Sequence, residues 1–312
     1  MSADTVKLLG IDIGGTKTAL VVGTPDGRIV ERRVFPSRAD RGPDAMLANI
    51  LAEAKALASS HSHVAAVGAS VGGPVDAERG LVLGPPNLPG WNEVHLAREL
   101  ERGLGLPARI EHDAKACALA EWHYGAGQGT RNMVFLTLGT GVGAGLIVNG
   151  QLVRGIDNMA GEVGHWRISA DGPLVYGKRG SLEGWASGTG LLALARYLHP
   201  QRFADTSSAA EVGEAWRAGD ADATDVVERS ANALGTALAL LVDLLAPEVI
   251  VLGNLANRLG PSFVEIVEKA TAAESLPALA TRARIVCCAL GEAIGDMAAL
   301  SVALEAYEGA RT

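Results

Sequence analysis

Ile13-Gly14-Gly15-Thr16-Lys17-Thr18-Ala19-Leu20-Val21-Val22 near the N-terminus and Leu138-Gly139-Thr140-Gly141-Val142-Gly143-Ala144-Gly145-Leu146-Ile147 at mid-chain repeat one pattern. Each is a glycine-rich turn with a short apolar run before it, over 7–13 and 133–138, and a run rich in Val, Ile and Leu after it. Each therefore reads as a strand, a tight turn and a second strand. Such a turn leaves backbone N–H groups uncovered and lets phosphate oxygens approach them. A Walker A loop needs a Lys-Ser or Lys-Thr pair opening a helix, and the dinucleotide fingerprint needs a helix after its last glycine. Strands follow here, which argues against both. One such turn reads equally well as a plain hairpin; two in matching contexts read as a duplicated nucleotide clamp.

Outward from the first turn, strands are expected over 8–13, 18–22 and 28–35, with Thr24-Pro25-Asp26-Gly27 closing the meander. Over 43–59 the apolar residues Met46, Leu47, Ile50, Leu51, Ala54 and Leu57 recur at three and four positions, as on an amphipathic helix. A strand over 64–69 follows, and strand, helix, strand implies a right-handed crossover with parallel pairing. A loop rich in Gly and Pro over 72–90, another helix, a short strand over 108–111 and a helix over about 114–124 complete this half. From Met133 the order restarts, with Asn149-Gly150 as a hairpin signal and a return strand over 151–154. Helices over 187–198 and 224–245, a strand over 248–252 and a closing helix over 293–307 come next. The restart, near 113–131, suggests a small N-terminal lobe over 1–113 and a large C-terminal lobe over 114–292, with 293–312 packing back on the first. The expected architecture is α/β, two similar lobes around a central cleft.

The composition is consistent with this: 312 residues suggest roughly two domains, and 48% hydrophobic content suffices for buried cores. No apolar stretch reaches the ~18 residues of a membrane span, and the N-terminus lacks the layout of a secretory signal, so a cytoplasmic protein without a membrane partner is expected. Cys117, Cys287 and Cys288 cannot all pair; the last two are adjacent in an apolar run resembling a buried strand, and reduced thiols are expected. A formal charge of −8 opposes nonspecific binding to nucleic acid or anionic membrane, yet leaves room for local binding of an anionic nucleotide.

Two duplicated lobes, each opening with a phosphate-binding hairpin, are the plan of the actin-like ATPase (ribonuclease H-like) fold. Within it the chain resembles, over nearly its whole length, the ROK family of bacterial sugar kinases and sugar-responsive repressors. The resemblance rests on Asp12-Ile13-Gly14-Gly15-Thr16-Lys17, Gly72-Gly73-Pro74-Val75-Asp76, Asn87-Leu88-Pro89-Gly90-Trp91, Glu111-His112-Asp113-Ala114, Leu138-Gly139-Thr140-Gly141-Val142-Gly143 and Ala160-Gly161-Glu162-Val163-Gly164-His165, in the family's order. It implies ATP with Mg²⁺ held at both hairpins, through Asp12, Gly14, Gly15, Thr16 and Lys17 and through Gly139, Thr140 and Gly141, with Gly253 toward the adenine. It implies a sugar near Asn87, His112, Asp113, Glu162, His165 and Glu183, and a homodimer.

The residues have readings of their own. Asp113 lies between a short strand and a helix, where it can cap the helix. With the flanking pattern it is favoured as general base, a carboxylate of pKa ~4 being ionised at neutral pH and able to take a proton from an attacking hydroxyl. Asp12 ends the first strand beside the phosphate turn, where one hard oxygen ligand could orient hydrated Mg²⁺. Lys17 could neutralise phosphate charge or be a plain exposed lysine. Glu162 and His165, three apart between glycines, can share one side of a turn, and carboxylates and imidazoles suit vicinal sugar hydroxyls. Asn87 offers a donor and an acceptor.

Several positions depart from the family. Members usually carry Cys-x-Cys-Gly-x-x-Gly-Cys-x-Glu after the Glu-x-Gly-His element, binding zinc with that histidine. This chain has Leu174-Val175-Tyr176-Gly177-Lys178-Arg179-Gly180-Ser181-Leu182-Glu183, without the thiols. One histidine cannot hold a structural zinc, so none is expected, and packing by Tyr176, Leu174 and Trp185 is expected to stabilise the loop instead. His112 stands where Asn is usual, Lys115 where a second Asn is usual, Asn158 where Gly is usual, and Gly253-Asn254 replaces a Gly-Gly pair.

The leading expectation is an ATP-dependent hexose 6-kinase, glucose first, with Asp113 as base; N-acetylmannosamine, N-acetylglucosamine, mannose, fructose or allose are alternatives within the class. A non-catalytic sugar-binding sensor or a sugar-responsive regulator are the rivals from other classes.

Overall fold

The computed structural model describes residues 6–311, which form two compact units. The first takes the chain up to Gly125, then Arg154–Ala160, then the chain from Glu292 on; the second takes Ala126–Val153 and Gly161–Gly291. No helix among the described residues is long and apolar enough to cross a membrane.

The first unit begins with β1 (Lys7–Ile13), β2 (Lys17–Gly23) and β3 (Ile29–Pro36), followed by α1 (Pro43–Ser59) and β4 (Val64–Val71). The two-residue strands β5 (Val75–Asp76) and β6 (Leu81–Val82) lead to α2 (Leu96–Leu104), β7 (Ala108–His112) and α3 (Asp113–Tyr124). The sheet order is β3-β2-β1-β4-β7, with β1–β2 and β2–β3 antiparallel and β1–β4 and β4–β7 parallel. Central β1 is buried almost throughout, whereas edge strand β3 alternates exposed and half-buried residues. Helix α1 starts with Pro43 in its first turn and buries Met46, Ile50, Ala54 and Leu57 as one stripe.

The second unit repeats the plan. Its strands β8 (Met133–Leu138), β9 (Val142–Val148) and β10 (Gln151–Leu152) form the meander, and after the small hairpin β11 (Leu174–Val175) and β12 (Lys178–Arg179) come α4 (Leu182–Ala186), α5 (Gly188–Leu198), α6 (Ala209–Arg217) and α7 (Ala221–Leu245). Then follow β13 (Val249–Leu252), α8 (Asn254–Leu259), α9 (Pro261–Glu274), α10 (Pro277–Ala280) and β14 (Arg284–Cys287). The order β10-β9-β8-β13-β14, antiparallel then parallel, is that of the first sheet. Asp220 caps α7 by accepting from the Ala223 N–H at 2.9 Å. Gly235 of α7 lets α9 approach, since a Cβ there would lie 2.8 Å from the Val267 carbonyl oxygen.

The last helix, α11 (Ile294–Gly309), belongs to the first unit and packs on β1 and β4. Gly10 and Gly68, paired across those strands, make this possible: a Cβ on Gly10 would lie 2.7 Å from the Leu300 backbone nitrogen, and one on Gly68 would overlap the backbone of Ala303. Helix α3 packs against α11 and also stays in the first unit, so the compact units do not part at residue 113 as the restart suggests. The return strand after Asn149-Gly150 is Gln151–Leu152 rather than 151–154, because Arg154 leaves it to pair with Glu111. None of the three cysteines is in a disulfide: Cys288 is buried, and Cys117 and Cys287 are half-buried.

Candidate active site

The first glycine turn is braced from behind. Gly14 donates its N–H to the Lys17 carbonyl at 3.1 Å, Ser37 N–H donates to the Thr16 carbonyl at 3.0 Å, and the Ser37 hydroxyl donates to the Gly14 carbonyl at 2.5 Å. Thr16 and Lys17 are exposed at its tip. Gly15 has to be glycine because a Cβ would collide with the Asn87 carbonyl oxygen. That contact seats the Asn87-Leu88-Pro89-Gly90-Trp91 segment on the turn. Leu88 and Trp91 are its buried anchors, and Asn87 stays exposed, its amide beside Gly72.

His112 and Asp113 stand at the end of β7 and the start of α3. The cap of α3 falls to His112, whose backbone is extended and whose Nδ1 accepts from the Ala114 N–H at 3.3 Å. Asp113 is thereby the first helical residue, with a side chain 58% exposed, its Oδ1 lying 3.3 Å from His112 Nδ1. A Cβ on Gly73 would meet the His112 ring, so the Gly72-Gly73 pair makes room for both Asn87 and His112.

Beneath them lies a buried polar cluster. Glu111 accepts from Arg154 Nε at 2.9 Å, from Asn158 Nδ2 at 2.9 Å and from the His112 N–H at 2.9 Å. Lys115, also buried, donates to the Asn158 carbonyl at 2.8 Å. The two departures Lys115 and Asn158 are therefore contact partners. Asn158 holds a left-handed backbone, φ 59°, that asparagine tolerates better than most residues.

Asp12 is shifted upward. Burial first, then the carboxylates of Asp296 and Asp113, push its carboxyl up to about 6, against the opposing pull of Lys17 and Arg32. Asp296, in the first turn of α11, is itself buried and paired with Arg32 at 2.5 Å. Gly295 admits that helix end, since a Cβ there would lie 2.8 Å from Asp12 Oδ2. Hard carboxylate oxygen beside a phosphate-type turn, in excess over nearby positive charge, fits magnesium. Among the described residues no cluster of His, Cys, Asp and Glu has the makings of a closed multi-ligand site.

In the second unit, Gly139 and Thr140 sit exposed at the tip of the second turn. They line a cavity of about 680 Å³ together with Thr189 and Leu192 of α5, Ser207, Ser208 and Arg217 around α6, and Asn254, Leu255 and Arg258 of α8. Gly253 is buried and is not part of that lining; a Cβ on it would lie 2.7 Å from the Leu138 nitrogen, so it is a close-packing position under the wall formed by its neighbours. The contributions of α5 and α6 have no local motif in the sequence.

Gly141 packs against Glu183, which takes the Val142 N–H on Oε2 at 3.0 Å. Glu162 and His165 are exposed at either end of a single helical turn, which Gly161, at φ 95°, and Gly164 press against the backbone of β9. The three positions where the family pattern has thiols do different things here. Ser181 caps α4, accepting from the Gly184 N–H at 3.3 Å. Tyr176 stacks on His165, ring centroids 3.8 Å apart and planes within 17°, and its hydroxyl donates to Glu183 Oε2 at 2.7 Å. Burial, that bond and the charges of Glu183 and Glu162 push the Tyr176 phenol upward. Leu174 is 65% exposed, so it does not contribute the packing expected of it; Trp185 does, against Gly172.

The candidate residues thus fall into two sets. Asp12, Gly14, Gly15, Thr16, Lys17, Asn87, His112 and Asp113 belong to the first unit, and Gly139, Thr140, Gly141, Glu162, His165, Glu183 and Gly253 to the second.

A model of the ROK family matches residues 8–305. A glucokinase of Halalkalibacterium halodurans is 33% identical over 304 residues, 92% of this chain and 92% of that protein. An N-acetylmannosamine kinase of Citrobacter koseri is 37% identical over 192 residues, 61% of this chain and 65% of that protein. Among solved structures, a ROK hexokinase from Thermus thermophilus is similar with a TM-score of 0.85 at 31% identity, covering 97% of this chain and 100% of that one. A ROK family glucokinase from Streptomyces griseus, solved with glucose and AMPPNP, has a TM-score of 0.76 at 32% identity, covering 96% and 99%.

Proposed function

The chain belongs to the ROK family and is a sugar kinase with the actin-like ATPase fold, and we propose that it transfers the γ-phosphoryl group of ATP to the 6-hydroxyl of a hexose, glucose before the others. The observation that carries this reading is the carboxylate of Asp113: exposed at the start of α3 and near Asp12, it takes the Ala114 N–H on Oδ1 at 2.6 Å, and among the described residues its Oδ2 has no hydrogen-bond partner. As general base it accepts the hydroxyl proton while the sugar oxygen forms its bond to the γ-phosphorus and the bond to ADP breaks.

Gly14, Gly15, Thr16 and Lys17 are proposed phosphate contacts, as are Gly139, Thr140 and Gly141. The cavity beside Gly139 and Thr140, within the volume range of small-molecule sites, takes the nucleoside. Mg²⁺ would be held through Asp12, directly or through water, and would supply charge neutralisation to the phosphates. Glu162, His165 and Glu183 of the second unit are the proposed contacts to sugar hydroxyls, and Asn87 and His112 are further candidates. Glucose is favoured by the glucokinase relatives, and N-acetylmannosamine, which the Citrobacter relative's name carries, is the first alternative. A homodimer is the proposed assembly.

The test is ADP release from Mg-ATP across glucose, mannose, fructose, allose, N-acetylglucosamine and N-acetylmannosamine, with Asp113→Asn as control. Turnover on one sugar, lost in the control, supports the assignment and names the substrate. Silence across the panel with sugar still bound sinks the kinase reading in favour of a sensor.

A further inference from the structure

Glu162, His165 and Glu183 stand on short segments, a single helical turn and the five-residue helix α4. Side chains on such segments keep several rotamers unless neighbours fix them, and a binding constellation needs its groups held to within about 0.5 Å. The β11–β12 hairpin supplies the neighbours. Its turn residues Tyr176 and Gly177 are both left-handed, φ 56° and 69°, an uncommon state for a bulky residue. The tyrosine lies flat on the His165 imidazole and bonds Glu183, and Lys178 Nζ donates to the His165 carbonyl.

What these contacts leave open is as informative. Tyr176 uses only the face of the imidazole, and its hydroxyl shares Oε2 of Glu183 with the Val142 N–H. Among the described residues neither ring nitrogen of His165 nor Oε1 of Glu183 has a hydrogen-bond partner. The two side chains are gripped on atoms a polyol does not need, and their remaining donor and acceptor atoms stay open.

Resting on the reading of His165 and Glu183 as sugar contacts, we propose that Tyr176 is a positioning residue for the sugar: its ring fixes the plane of His165 and its hydroxyl fixes the Glu183 carboxylate, so that both are presented to one ligand.

Tyr176→Phe keeps the stack and loses the hydroxyl; Tyr176→Leu loses both. With glucose, or the panel sugar of highest turnover, the sugar KM is expected to rise about tenfold in Tyr176→Phe and about a hundredfold in Tyr176→Leu. The Mg-ATP KM should stay within about twofold and kcat within about threefold, since the interaction is equal in ground and transition states. Calorimetric sugar Kd without ATP should rise in parallel. Wild-type sugar affinity in both variants overturns the proposal, as does a loss of kcat or melting temperature in Tyr176→Leu with sugar Kd unchanged. If that variant does not fold, Tyr176→Phe alone decides, wild-type affinity overturning the proposal. A wild-type protein that neither binds nor turns over any panel sugar overturns the sugar reading itself, and this one with it.

Discussion

Asp12 is expected to weaken the fold it sits in, and Asp12→Asn to strengthen it. Its carboxyl is raised from 3.8 to about 6 by burial and by the carboxylates of Asp296 and Asp113. A group whose folded pKa exceeds its unfolded one binds its proton more tightly in the folded state. Its favourable contribution is complete below about pH 4 and is lost as pH climbs through about 6. A shift of about two units at about 1.4 kcal/mol each makes ionised Asp12 cost roughly 3 kcal/mol at neutral pH. Asparagine matches the shape of the protonated acid and removes that cost.

In urea denaturation at about pH 7.5, without nucleotide, Asp12→Asn should therefore unfold later than wild type, by about 1 M for a denaturant slope of about 3 kcal/mol/M. At about pH 4 the two midpoints should converge. Mg-ATP should raise the melting temperature of wild type more than that of the variant, because a cation relieves only a charge that is present. A variant no more stable than wild type at neutral pH, or a gain that persists undiminished at about pH 4, refutes the reasoning.

Asp113→Asn should lower kcat by about 10² to 10⁴ while sugar and Mg-ATP dissociation constants stay within about threefold, read by turnover and calorimetry. Asn158→Gly relaxes a left-handed backbone but removes a bond to buried Glu111, so a net loss of about 1–2 kcal/mol is expected by chemical denaturation. Gly161→Ala, at φ 95° with the Ala144 carbonyl in the path of a Cβ, should destabilise by roughly 3 kcal/mol and raise the sugar KM through displacement of Glu162.

The features legible in the sequence are those set by neighbours along the chain. Glycines between apolar runs mark both hairpins, and a stripe of Met46, Ile50, Ala54 and Leu57 marks α1, because turn chemistry and helical period are local. The α3 cap shows where that legibility stops. Aspartate before a helix is the ordinary cap, yet the extended backbone at His112 puts the histidine at the cap and Asp113 one residue inside the helix, where the Ala114 N–H meets both side chains, at 3.3 Å and 2.6 Å. Lys115 and Asn158 look like unrelated departures until the fold puts a lysine ammonium on the other's carbonyl. Tyr176 reaches His165 across a left-handed turn, and Ser207 and Arg217 reach the cavity by Gly139 through helix packing, neither of which has a local signature.

The repeated hairpins also differ in a way their similarity conceals. Aligned at the turn, Asp12 at the end of β1 corresponds to Thr137 at the end of β8. The threonine is spent on its own turn, Oγ1 accepting the Gly143 N–H at 2.9 Å, and brings no charge. The aspartate lies in a nest of carboxylates, with Asp296 delivered by a helix from the far end of the chain. The second hairpin opens instead on a large cavity walled by aliphatic, hydroxyl and guanidinium groups. One backbone device has therefore been given two electrostatic settings: excess negative charge suited to a divalent cation on the first, and a partly apolar hollow suited to a flat heterocycle on the second.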